Sequence, residues 1–197
     1  MQPPTGYKIL AGKHFSKEPY SIESIRIEDA LPVMEWRNAQ LDALRQKDLL
    51  TSASQQLYFQ KVVSPQFRLL RPEQVLLRLT FERKLIGYGG LVHIDWSDRR
   101  AEVSFLLETE RAKNIDQYEA DFVNFLTLLK QLSFDHLDFH KITTESYSHR
   151  KKHVEIIEKC GFTRDGVLRE QVRVSGNWVD AIMCSCLQSE YQSEEIS

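Results

Sequence analysis

The alternation of apolar and polar positions divides the chain into a run of short elements. Residues 1–19 hold Pro3, Pro4, Gly6, Gly12 and Pro19 without a sustained period, which predicts an irregular arm with a short strand at 7–10. Residues 20–27 alternate Ile22, Ser24 and Arg26 with Glu23, Ile25 and Ile27, a strand pattern. Asp29 opens a helix carrying Ala30, Val33, Met34 and Trp36, and Pro32 is tolerated in its first turn, where N–H donors are spare. Ser52 and Gln55 form a Ser-x-x-Gln capping box ahead of a second helix with Leu57, Tyr58 and Val62, ended by Pro65.

From residue 74 the period shortens to two. Residues 74–81, 84–96 and 100–108 read as three strands joined by turns at 82–84 and 97–99, an antiparallel meander. Ile115, Tyr118, Phe122, Phe125, Leu126, Leu129 and Leu132 then make one apolar stripe along a helix over 115–134. A strand at 140–146 follows, then a helix at 148–160 with Ser148 as N-cap and Gly161 just past its end. Residues 161–174 and 178–187 close the pattern as a hairpin, and the acidic stretch 188–197 is expected to be disordered. The order predicts an α/β layer architecture over 20–187, between the arm and the tail. The helix between the third meander strand and the 140–146 strand makes those two a parallel crossover pair. A ligand is expected at their carboxyl ends, near the start of the long helix.

Composition narrows the function classes. With 197 residues, 42% hydrophobic and 27% charged, the chain has the make-up of a single globular domain rather than a disordered or fibrous one. A net charge of −2 argues against a nucleic-acid partner, and no apolar run reaches the ~18 residues of a membrane span. Three Cys and no leader-like apolar start point to the cytoplasm. Paired histidines at His136/His140 and His149/His153 lack a third ligand at metal-binding spacing, so no metal is expected. Glycine is scarce at eight residues, and none falls between Leu107 and Gln117.

The order of elements and several local strings resemble the GNAT superfamily of acyl-CoA-dependent N-acetyltransferases, from about Tyr20 to Leu187. The strings are residues 85–96 (LIGYGGLVHIDW), residues 101–107 (AEVSFLL), the helix end at Ile157–Phe162, and residues 165–169 followed by Val179 and Asp180. The last two are similar to the branch acetylating ribosomal-protein N-termini. Trp36, Arg37 and Asn38, with Arg45 downstream, are similar instead to the branch acetylating nucleotide-linked amino sugars. The resemblance implies a mixed, mostly antiparallel sheet of about six or seven strands with helices on it, split by a V-shaped splay between residues 101–107 and 141–146. It implies acetyl transfer from acetyl-CoA, as co-substrate, to a primary amine of a small molecule, an amino-sugar nucleotide before a peptide N-terminus. A homodimer is compatible with it. The alternative is a GNAT-fold protein that has lost catalysis and serves as a binding or interaction module.

Residue by residue, the resemblance assigns Glu102 as the base that deprotonates the amine, against a plain cross-strand pairing with Arg78 or Lys84. Backbone groups of Phe105, Leu106 and Leu107 are assigned to the pantetheine arm and thioester oxygen. The family's phosphate loop, normally Gln/Arg-x-x-Gly-x-Gly/Ala, corresponds to Arg111, Lys113, Asn114, Ile115 and Asp116, so Asn114 and Asp116 stand where small residues are usual. Asn114 can replace Gly in a left-handed conformation. Asp116 would repel a pyrophosphate unless it serves as N-cap of the long helix. Arg150 is assigned to the CoA phosphates, against a solvated helix face. Trp36, Arg37, Arg45 and His93 are assigned to the acceptor, against Trp36 as a buried anchor. Ile157 stands where many members carry an acidic Tyr.

Overall fold

The computed structural model describes residues 5–196. Eight strands form one sheet in the order β1-β2-β3-β4-β5-β6-β8-β7. They are β1 (Phe15–Lys17), β2 (Tyr20–Ser24), β3 (Val75–Phe81), β4 (Lys84–Asp95), β5 (Arg100–Leu107), β6 (Lys141–Tyr147), β7 (Thr163–Val174) and β8 (Asn177–Leu187). Every neighbouring pair is antiparallel except β5 and β6. The mixed, mostly antiparallel α/β sheet is therefore present, with one strand more than expected. The extra strand is β1, inside the stretch read as an irregular arm. Residues 7–10 are not a strand: Lys8–Leu10 make a tight helical turn, and Tyr7, Leu10 and Phe15 are buried in the core.

The helices are α1 (Ala30–Ala39), α2 (Ser52–Tyr58), α3 (Ser64–Gln66), α4 (Thr109–Lys113), α5 (Ile115–Gln131), α6 (Lys151–Lys159) and α7 (Gln188–Ile196). Burial of Phe122, Phe125, Leu126 and Leu129 fixes α5 in the core by its apolar stripe. Three helix starts differ from expectation. Thr51, not Ser52, caps α2 and exchanges bonds with Ser54, which leaves Gln55 free to be buried. Asn114, not Asp116, caps α5. The residue before α6 is Arg150, with no side-chain cap, rather than Ser148. Pro65 does not end the second helix, because a π turn at Phe59–Val63 leads into α3 with the proline in its first turn, where no N–H is needed. The acidic tail forms α7, anchored by buried Tyr191, whose hydroxyl donates to Asp135 at 2.8 Å.

The feature that shapes the site is the β5/β6 pair. The two strands are bonded only at Arg100–Lys141, Ala101–Ile142 and Glu102–Thr143. Beyond that point β5 stays with β4 as far as Leu107, β6 stays with β8 as far as Tyr147, and the sheet parts. Gly89 holds β4 against β5 beside the split: a Cβ there would collide with the Ser104 carbonyl oxygen and come within 2.7 Å of the Phe125 ring. Gly90, at φ +127, occupies a conformation closed to most side chains. These glycines serve the sheet, and no phosphate-binding loop is built from them.

Candidate active site

The parting strands enclose a cavity of about 230 Å³. Glu102, the last β5 residue paired with β6, and Glu145 on β6 reach into it from opposite sides. Both grip the same nitrogen of Arg45: Nη2 lies 2.8 Å from Glu102 Oε1 and 2.6 Å from Glu145 Oε2. Arg45 comes from the connection between α1 and α2, and its Nη1 is 3.4 Å from His93 Nε2. Burial works against the guanidinium charge, and the two carboxylates outweigh it, so the Arg45 pKa is raised. Glu102 thus pairs with Arg45, not with Arg78 or Lys84, and it does so inside the cleft.

Past Glu102 the β6-facing edge of β5 has no ladder partner, so main-chain groups around Ser104 and Phe105 open to the cavity. The Leu107 carbonyl is already used, accepting from Gln40 Nε2 at 2.9 Å. Leu106 is buried in the core. On the far wall, the hydroxyls of Thr144, Ser146 and Tyr147 are buried without a hydrogen-bond partner. Burial raises the Tyr147 pKa, so its phenol stays protonated. Three unsatisfied hydroxyls beside a cavity are suited to a polar ligand.

A second cavity of about 500 Å³ continues from the first and shares Ala43, Arg150 and His153 with it. Its rim carries Lys113, Arg150, Lys151 and Lys152 with Asp42, and Lys113 and Lys152 are paired with Glu110 and Glu119, each at 2.6 Å. At the junction, Tyr118 Oη sits 2.6 Å from His153 Nδ1 and accepts from Arg150 Nη2 at 3.1 Å. The His153 ring stacks on Phe122 at 4.6 Å. Burial, with the Arg150 charge second, pushes the His153 pKa far down, so the imidazole is neutral and its Nδ1 accepts from Tyr118. Burial likewise raises the Tyr118 pKa.

Trp36, Arg111, Asn114 and Asp116, all expected in the site, line neither cavity. Trp36 is buried at 9% exposure, an anchor of α1 and not an acceptor surface. Arg111 is turned inward: its Nε and Nη2 each bond an oxygen of Asp121 at 2.8 Å. Asp121 is fully buried and also accepts from Tyr20 at 2.9 Å and Gln117 at 3.0 Å, so Arg111 is spent on the core. Asn114 adopts an extended conformation at φ −91, not a left-handed one. Asp116 and Ile115 are exposed in the first turn of α5, with Ile115 lining the basic cavity. Arg37 reaches the first cavity but is held by Tyr88 Oη at 2.7 Å and Gln46 Oε1 at 2.8 Å. Glu145, Gln40, Tyr118 and His153 were not picked out by sequence as parts of one site.

A family model described as an acetyltransferase (GNAT) domain matches residues 22–183. The chain belongs to the GNAT acetyltransferase family. It is similar to the spermidine N(1)-acetyltransferase of Vibrio cholerae serotype O1, 28% identical over 110 residues that make up 56% of this chain and 61% of that protein. The match therefore spans less than two thirds of that relative's length. Among solved structures, the GNAT fold here resembles the Vibrio cholerae spermidine N-acetyltransferase in complex with CoA and spermine, with a TM-score of 0.76 and 19% identity over 89% of this chain and 99% of that one. A dodecameric form of that enzyme gives 0.74 and 19%, over 90% and 99%. The leaning toward the ribosomal N-terminal and amino-sugar branches of the GNAT family gains no support from these relatives.

Proposed function

We propose that this GNAT protein transfers the acetyl group of acetyl-CoA to the primary amine of a small molecule. The observation that carries the reading is the split between β5 and β6, where Glu102 and Glu145 converge on one cationic nitrogen beside the free edge of β5. A primary alkylammonium has a pKa near 10 and must lose a proton before its nitrogen can attack. The incoming ammonium takes the place of the Arg45 guanidinium between the two carboxylates, and Glu102 accepts its proton. The nitrogen then bonds the thioester carbon, whose oxygen is stabilised by main-chain donors on the free edge of β5. The carbon–sulfur bond breaks as the nitrogen gives up its second proton to water, and CoA leaves as a thiolate that takes its proton from water.

The basic cavity supports placing the CoA phosphates near Lys113, Arg150 and Lys151. Spermidine and spermine, the compounds named for the relatives, are small cationic amines and support this acceptor class. The sugar-nucleotide reading rested on Trp36 stacking and a phosphate grip by Arg37 or Arg45; Trp36 is buried, Arg37 is held by Tyr88 and Gln46, and Arg45 is held by Glu102 and Glu145. The test is isothermal titration with acetyl-CoA followed by amine-dependent release of CoA. Glu102→Gln should lower turnover by roughly 10²-fold or more with acetyl-CoA affinity intact, since general bases contribute about that much. Unchanged turnover removes Glu102 from the reaction. No binding at millimolar acetyl-CoA refutes the enzyme reading and leaves a GNAT-fold interaction module.

A further inference from the structure

We infer that the acceptor is a monoamine with an uncharged alkyl or aryl tail, not a polyamine, because the compartment beyond the carboxylate pair has no counter-charge for a second ammonium. The inference rests on the proposed acetyl transfer and narrows its substrate class. A third cavity, of about 330 Å³, adjoins the first and shares Arg37, Val92 and Ser104 with it. Val33, Leu50, Phe59 and Leu76 give it an apolar wall. Its polar groups are neutral ones, chiefly the amides of Gln55 and Gln74 and the phenol of Tyr58, which is paired to Gln74 at 3.1 Å.

Among the residues that line this compartment there is no carboxylate, and the one charged group is Arg37 at the doorway. That guanidinium is fixed in place by Tyr88 and Gln46. Glu102 and Glu145 offer no second site, because both close on the same Arg45 nitrogen and so form one cation subsite, which the reacting amine fills. A polyamine reaching inward would set its next ammonium, unpaired, against Arg37 in a cavity with an apolar wall. An alkyl tail meets the opposite situation, since each methylene it buries is worth about fourfold in affinity. This separates the chain from relatives named for spermidine, although the fold is shared.

The experiment compares n-hexylamine and 2-phenylethylamine with spermidine, both in CoA release and in isothermal titration of the CoA-loaded protein. The two monoamines should exceed spermidine at least tenfold in kcat/KM and in affinity. Gln74→Glu, which adds a carboxylate to the compartment at a half-buried position, should shift the hexylamine-to-spermidine ratio at least tenfold toward spermidine. Spermidine equal to or better than the monoamines in titration, or a ratio unmoved by Gln74→Glu, overturns the inference. If no amine releases CoA while hexylamine still binds more tightly than spermidine, the transfer reaction fails and the tail assignment stands.

Discussion

Arg111→Gln separates two roles for one residue. In the family pattern this arginine sits at the head of the phosphate loop, so its loss should weaken acetyl-CoA binding and leave folding alone. The structure turns it inward onto Asp121, which is wholly buried and takes two of its four hydrogen bonds from Arg111. Removing one member of a buried ion pair costs about 3–5 kcal/mol, because the other charge is left uncompensated. The Arg111 side chain is 21% exposed, so the low end, about 3 kcal/mol, is the appropriate figure. For a domain of this size each kcal/mol moves Tm by about 2–4 °C, which gives a fall of roughly 6–12 °C. Tyr20 should report the same event. Its phenol pKa, pushed up to about 12 by burial and then by the bond to Asp121, is held down in part by the Arg111 charge and should rise further once that charge is removed. Thermal unfolding and acetyl-CoA titration are run on the same variant, with Arg111→Gln/Asp121→Asn as the partner that removes the stranded charge and recovers most of the loss. A Tm within 2 °C of the parent (about 1 kcal/mol or less), together with acetyl-CoA binding weakened about tenfold or more, would refute the structural role.

The remaining predictions concern a buried imidazole and a helix start. His153 is held neutral with its pKa depressed, while the unfolded chain protonates there near pH 6.5. Its contribution to stability is complete above that pH and is lost as pH falls through it, at up to about 1.4 kcal/mol per pH unit. His153→Gln, which still accepts from Tyr118, should therefore show a flatter fall in unfolding free energy between pH 7.5 and 5.5; parallel curves would sink the assignment. At α5, Asn114→Ala should cost about 1 kcal/mol by denaturant unfolding as the lost cap. Asp116→Ala should cost a few tenths at most and tighten acetyl-CoA binding, and the reverse ranking would make Asp116 the cap.

Periodicity carried most of the fold because it reports burial, and burial decided these elements. The β5/β6 crossover followed from the single helix between two apolar strands, and the carboxyl-end site followed from the crossover. Glu102 came from the family resemblance, and the structure puts it on the strand that opens the cleft. Glu145 was not legible, because residues 141–147 alternate in a way compatible with either face, and only the register of Glu102 with Thr143 brings the second carboxylate alongside. Tyr118 and His153 each read as members of a helix stripe or a basic run. Their contact lies across two helices, and sequence spacing holds no signal for it. Trp36 had the spacing of a core residue and is one. The cap at α2 was misplaced by one position because Thr51/Ser54 and Ser52/Gln55 both fit a capping pattern, and the competition is settled by Gln55 being needed in the interior.

The missing glycines bear on how the proposed CoA phosphates would be held. Backbone amides can cradle a pyrophosphate only where the chain has no Cβ in the way. Between Leu107 and Gln117 every residue has one, and the segment is folded as α4 with Asn114 capping α5. In the proposed reading the CoA phosphates are met instead by side chains at the rim of the basic cavity, Lys113, Arg150 and Lys151. Rigid amides act at short range from a fixed position, whereas long cationic side chains act partly through solvent and are screened by salt. Three such contacts at roughly 0.5 kcal/mol each amount to about tenfold in affinity. The acetyl-CoA dissociation constant, followed by isothermal titration, should therefore rise about tenfold as KCl goes from about 0.05 to about 0.5 M, where the Debye length falls from well above 10 Å to about 4 Å. Lys113→Ala with Lys151→Ala should remove most of that dependence. An affinity indifferent to salt would mean that the phosphates are held by buried main-chain donors after all, and that α4 rearranges to supply them.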